Sequence, residues 1–158
     1  MNYIFSAIFL YFFLGFLLYI FQRRIVFNKS GHPGAPNDYN LDNTEEVYIK
    51  TEDNLKLLSW YHKGYNSLPL LVYFHGNSFH IGDRAYRIRR YIEKNWSVLL
   101  VSWRGFGGNE GNPTEKNLYK DAEAVLKWIK NNTEFKFKEL VIYGAVSYTH
   151  LTLPTNAC

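Results

Sequence analysis

Three short apolar runs constrain this chain most. Residues 68–74, 97–102 and 140–143 are dominated by Val, Leu, Ile and aromatic side chains, and each empties into a glycine-containing segment. Runs of this length without polar alternation read as strands buried on both faces, the condition of a parallel sheet whose crossover connections are helical. The segments between them supply those crossovers. Asp83 is placed to cap a helix reaching Asn95, with Ala85, Ile88, Tyr91 and Ile92 at helical spacing; Thr114 caps a second, with Leu118, Ala122, Val125, Leu126 and Ile129 as one apolar stripe and Asn131 and Asn132 at its end. Ahead of them, residues 47–51 and 55–61 alternate apolar and polar positions around Glu52, Asp53 and Asn54, the pattern of a β-hairpin. The fold class that follows is α/β: an antiparallel hairpin leading into parallel strands with crossover helices.

At 158 residues the chain has room for one domain. Its net charge of +4 is mild, and Arg84, Arg87, Arg89 and Arg90 read as a solvated helix face rather than a lipid or nucleic-acid site, so no nucleic-acid partner is expected. The sole cysteine, Cys158, provides neither a disulfide nor a thiolate metal site, and no metal or cofactor is called for.

Residues 3–21 carry no charge and are followed by Gln22, Arg23 and Arg24. That is long enough to span a bilayer, and with neither a basic leader nor a small-residue cleavage site it reads as an uncleaved anchor, making the lipid bilayer a partner. The arginines weakly favour a cytoplasmic domain. The domains expected are an anchor over 1–22, a linker over 23–44 whose Gly, Pro and Asn residues from 28 to 43 read as a linker or as a surface-hugging segment, and an α/β unit over 45–144. Residues 145–158 form a tail.

In open α/β sheets the reactive groups collect at the carboxyl ends of the strands. His75, Gly76, Asn77 and Ser78 follow the first buried strand, where a glycine permits a sharp turn and the next amides can face a developing negative charge; an ordinary loop reads the same way. The glycine-rich Arg104, Gly105, Phe106, Gly107, Gly108, Asn109, Glu110 and Gly111 follow the second, and alone read as a flexible loop. A nucleotide-binding glycine motif fails there, since the third glycine would fall on Glu110.

Taken together, Gln22-Arg23-Arg24 after the anchor, Tyr73-Phe74-His75-Gly76-Asn77, Arg104-Gly105-Phe106-Gly107 with Glu110-Gly111, Lys120-Asp121-Ala122 and Val141-Ile142-Tyr143-Gly144 resemble the α/β-hydrolases, specifically the membrane-anchored group similar to BEM46 and the ABHD13-like proteins. The resemblance runs over residues 21–144 and implies the N-terminal half of that fold. It implies a serine hydrolase acting on an ester, thioester or amide of a small acyl or peptide substrate, with Asn77 or Ser78 giving one oxyanion-hole amide. Gly144 would enter a Gly-x-Ser-x-Gly nucleophile elbow, placing the serine at position 146.

That position is Val146, and Ser147 stands one residue late without the second glycine. From residue 146 onward the chain holds no Asp, Glu, Lys or Arg. Val-Ser-Tyr-Thr-His-Leu-Thr-Leu-Pro-Thr is what a common transposon-type sequencing adapter encodes in one frame, so residues from about 145 are expected to be read-through and the catalytic serine, acid and histidine to be missing. His32, His62, His75, His80 and His150 read as structural or solvated. Asp83, Glu110 and Asp121 read as cap, loop and helix-surface residues. This polypeptide is therefore expected to be inactive; a non-catalytic anchored domain is the alternative.

Overall fold

The computed structural model describes residues 2–26, 28–29 and 31–145. Helix α1 (Asn2–Val26) contains a 20-residue apolar stretch, Tyr3–Gln22, long and apolar enough to cross a membrane, and its side chains are exposed. Then follow β1 (Asn28–Lys29), β2 (Thr44–Lys50), β3 (Lys56–His62), β4 (Leu70–Phe74), β5 (Ser78–Phe79), α2 (Ala85–Ile92), β6 (Ser97–Val101), α3 (Glu115–Asn132) and β7 (Leu140–Gly144). Five strands form one sheet in the order β2-β3-β6-β4-β7, while β1 and β5 pair separately. The hairpin β2-β3 is antiparallel, β3 lies antiparallel to β6, and β6, β4 and β7 run parallel.

Period-two alternation sorts the strand side chains into two layers. Leu70, Val72 and Phe74 of β4 with Leu99 and Val101 of β6 pack against Leu118, Ala122, Val125 and Ile129 of α3. Leu71 and Tyr73 with Val98 and Leu100 meet Ala85 and Ile88 of α2 on the other face. Thr114 caps α3 as the sequence indicates, its Oγ1 accepting from the Asn117 amide at 3.3 Å. The chain moves outward from β4 to β6 and then returns past β4 to β7, so the strand order reverses at β4 and the topological switch point falls between β4 and β7.

One expectation needs correction. Asp83 lies inside a 3-10 turn, Ile81–Arg84, that precedes α2; its carboxylate accepts from the His80 amide at 3.3 Å, and α2 itself ends at Ile92. Of the two readings of residues 28–43, the surface-hugging one holds over the second half of the segment, which docks on the sheet. Pro33, Pro36 and Leu41 are buried, Tyr39 packs 5.4 Å from the Trp60 ring, and Arg89 donates to the Tyr39 carbonyl at 2.8 Å. Strand β7 is the last strand of the sheet, with Val141, Ile142 and Tyr143 each about two-fifths exposed. Its pattern suits an interior strand, and among the described residues nothing covers its outer side.

Candidate active site

The carboxyl ends of the three parallel strands lie level, because the ladder pairs Phe74 with both Val101 and Gly144. The segments leaving those ends form the candidate site. His75 and Trp103 lock the ends of β4 and β6 together. The Trp103 amide donates to His75 Nε2 at 3.3 Å and the indole Nε1 donates to the His75 carbonyl at 3.0 Å. With Nε2 accepting, the proton sits on Nδ1, which donates to the Gly76 carbonyl at 2.7 Å. His75 is fully buried and packs edge-on to Phe106, and burial pushes its imidazole down to about 4, so it is neutral and spent on positioning.

The second pair of ends meets at Gly76. The Ala145 amide donates to the Phe74 carbonyl at 3.0 Å, and a Cβ added to Gly76 would lie 3.4 Å from the Ala145 carbonyl oxygen. The turn after β4 and the residue after β7 therefore run side by side. Asn77 is half-buried just beyond, whereas Ser78 enters β5 and pairs with Asn28. Of the two expected oxyanion residues, Asn77 is the one outside a ladder. Val146 and Ser147 lie outside the described residues, as does all of the tail through Cys158.

The glycine-rich segment is a pinned loop, not a flexible one. Gly105, Gly107, Gly108 and Gly111 adopt positive φ, and the Gly105 amide donates to the carbonyls of Asn109 and Glu110 at 3.1 and 3.0 Å. Asn109 ties the loop to the hairpin: its Oδ1 accepts from the Leu58 amide at 2.9 Å and its Nδ2 donates to the Ser102 and Trp103 carbonyls. The Gly105 amide is thus committed within its own loop, which leaves a phosphate-cradling reading without support.

Arg104 is the residue whose role the sequence left hidden. Its side chain is buried at 2% exposure and forks between two carboxylates. It reaches Asp53 through NH1 and NH2 at 2.7 and 3.0 Å, and Asp121 through Nε at 2.8 Å and NH2 at 2.7 Å, while its backbone amide donates to Asp121 at 3.2 Å. The Arg104 fork, helped by the Thr51 hydroxyl, holds the Asp53 carboxyl well below the usual range. Burial pushes Asp121 up and would push Arg104 down; the paired carboxylates outweigh it for Arg104, which stays protonated. Asp121 is thus no helix-surface residue. It lies on the apolar stripe of α3 beside Leu118 and Ala122, and a carboxylate there demands a buried cation, the one sequence signal that pointed to Arg104.

The remaining histidines stand apart from this arrangement. His62 is buried against Thr44 at 3.3 Å with its imidazole pushed down by burial, His80 faces Asp83 at 3.2 Å, and His32 is exposed and accepts from the Gly34 amide. Glu110 is exposed on the loop.

This layout recurs in known proteins. An esterase of Pyrococcus furiosus superimposes with a TM-score of 0.57 at 26% identity over 74% of this chain and 48% of its own. The α/β-hydrolase domain-containing protein WAV2 of Arabidopsis thaliana is 29% identical over 138 residues, covering 81% of this chain and 44% of the relative. The chain belongs to the α/β-hydrolase superfamily. Within it the likeness is to bem46-like members: the bem46 protein of Schizosaccharomyces pombe is 29% identical over 141 residues, 83% of this chain and 46% of that protein. An uncharacterized membrane protein of Saccharomyces cerevisiae is 31% identical over 133 residues, 80% and 46% of the two chains. No family model matches the sequence. The chain spans a little under half the length of these curated relatives.

Proposed function

We propose that this chain is the N-terminal half of a single-pass, membrane-anchored serine hydrolase that cleaves an ester, thioester or amide. The observation that carries the proposal is the junction of Gly76 with Ala145: the turn that can donate an oxyanion amide from Asn77 lies against the strand end that, in a Gly-x-Ser-x-Gly elbow, leads to the nucleophile. His75 and Trp103 fix that turn from behind, and Arg104 with its two aspartates fixes Trp103. The domain adds the positioning half of an acyl-transfer site, and the nucleophile, acid and base belong to the continuation after Gly144. An esterase among the solved structures similar to this chain supports the ester as the first substrate class to try. Acyl lipids and small acyl or peptide compounds are the candidates.

Independent reads of the native nucleotide sequence across codon 145 test the truncation. Serine at 146 followed by glycine at 148 is expected. A continuation with no serine there would favour the non-catalytic anchored domain instead. A fluorophosphonate probe completes the test: the 158-residue chain stays unlabelled, and the chain carrying the native continuation is labelled at its elbow serine. Labelling of the 158-residue chain at Ser147 would refute the predicted inactivity.

A further inference from the structure

The short parallel ladder between β1 and β5 connects two parts of the molecule that the sequence keeps about fifty residues apart. Strand β1 begins two residues after α1 ends at Val26, and β5 is the segment directly after Asn77. Asn28 pairs with Ser78 and Lys29 with Phe79. The end of the apolar helix is therefore bonded to the turn that the proposed hydrolase uses for its oxyanion.

Simple lengths place that turn relative to a bilayer. The span Tyr3–Gln22 rises about 30 Å, one hydrocarbon thickness. The four further residues to Val26 rise about 6 Å, the depth of one headgroup layer. From Val26 to Asn28 the chain advances at most about 7 Å, and the paired strand lies about 4.8 Å to the side. Ser78 and Phe79 thus stand within roughly 12 Å of the outer headgroup boundary.

The side chains at that edge match an interface. Phe79 is 50% exposed on a backbone with φ of 67°, and Tyr86, in the first turn of α2, is 61% exposed. Exposed Arg87 lies over the Tyr86 ring at 5.3 Å and donates to its hydroxyl at 2.9 Å. Aromatic rings beside arginine are the composition of a surface that rests among anionic headgroups.

We propose that the rim formed by Phe79, Tyr86 and Arg87 docks on the headgroup layer of the same bilayer that holds α1, so that the mouth of the candidate site faces the membrane. The inference rests on α1 being an inserted anchor. Nothing in it requires the missing nucleophile, so the 158-residue chain serves for the test. In a Cys158→Ser background, Phe79→Cys, Tyr86→Cys, Tyr65→Cys and Leu10→Cys are each labelled with bimane and reconstituted in vesicles of phosphatidylcholine and phosphatidylserine. Lipids carrying a nitroxide on the headgroup or on the acyl chain then act as quenchers. Tyr65 is the aqueous reference: its amide bonds to the Asn95 carbonyl at the amino edge of β4 and β6, about 17 Å of strand away from the site. Leu10 reports insertion of α1. Headgroup nitroxide is expected to quench positions 79 and 86 severalfold more than position 65, with acyl nitroxide quenching position 10. Position 86 guards against local rearrangement where the Phe79 backbone is left-handed. If positions 79 and 86 match position 65 while position 10 is quenched, the docking proposal is overturned and the anchor stands. If position 10 is also unquenched, the anchor reading falls and takes this one with it.

Discussion

At the scale of single residues, two buried groups govern the candidate site, and they respond differently to change. His75 is neutral in the folded chain because burial holds its imidazole near 4, against an ordinary 6.5. Between those values the unfolded chain binds a proton that the folded chain refuses, so the contribution of His75 to stability rises with pH through the window from about 4 to 6.5 and is flat on either side of it. The full effect is about 3 kcal/mol. Denaturant unfolding of the chain in detergent, followed by tryptophan fluorescence at several pH values, should show that slope. His75→Asn should lower stability at pH 7 and flatten the slope, leaving the smaller part due to His62, which burial shifts in the same direction. An unchanged slope would mean that the imidazole is accessible to water. Asp121 answers to charge instead. Truncating it to alanine leaves the buried Arg104 guanidinium with Asp53 alone, at a cost of about 3–5 kcal/mol, read from the fall in urea midpoint multiplied by the unfolding slope. Glu123→Ala, two residues along the same helix but exposed, should cost under about 0.5 kcal/mol.

The scale of whole elements explains what could be read from the sequence and what could not. The hairpin and α3 are legible because their apolar residues repeat at 2 or 3.6, the three parallel strands because their apolar runs are unbroken and of strand length, and the Thr114 cap because its chemistry is local. Docking of Pro33, Pro36 and Leu41 is not, since turn-forming composition reports bending and says nothing about what a bent segment lies on. The Arg104 loop misled for a related reason. Its glycines announce positive φ, but its rigidity comes from Asn109 and from Asp53, 51 residues upstream of Arg104. Strand β7 is the opposite case: its apolar composition is that of an interior strand, and among the described residues no neighbour covers its outer side. An unpaired edge bearing Val141, Ile142 and Tyr143 invites edge-to-edge association. Ile142→Lys should shift the chain from large aggregates toward monomer in size-exclusion chromatography with light scattering. Lys138→Ile, beyond the strand, should give no such rescue. If both behave as the parent does, association runs through another surface such as α1.

For the molecule as a whole, the two edges of the sheet differ. At one edge β2 exposes Glu45, Glu46 and Lys50, charges that discourage pairing with another strand, and Asn109 and Arg104 tie its hairpin to the loop after β6. At the other, among the described residues, β7 leaves its outer row of backbone groups and much of three apolar side chains uncovered. A native continuation that adds the elbow, its helix and a further strand would bury that side, and the added surface should appear in equilibrium unfolding. The slope of unfolding free energy against urea scales with the area exposed on unfolding. The extended chain should therefore unfold with both a higher midpoint and a steeper slope than the 158-residue chain, as one transition. Two transitions, with the first half melting at an unchanged midpoint, would show that residues 31–145 form a self-sufficient unit. In that case β7 is a true edge, and the elbow proposed to follow Gly144 would have to be built without its support.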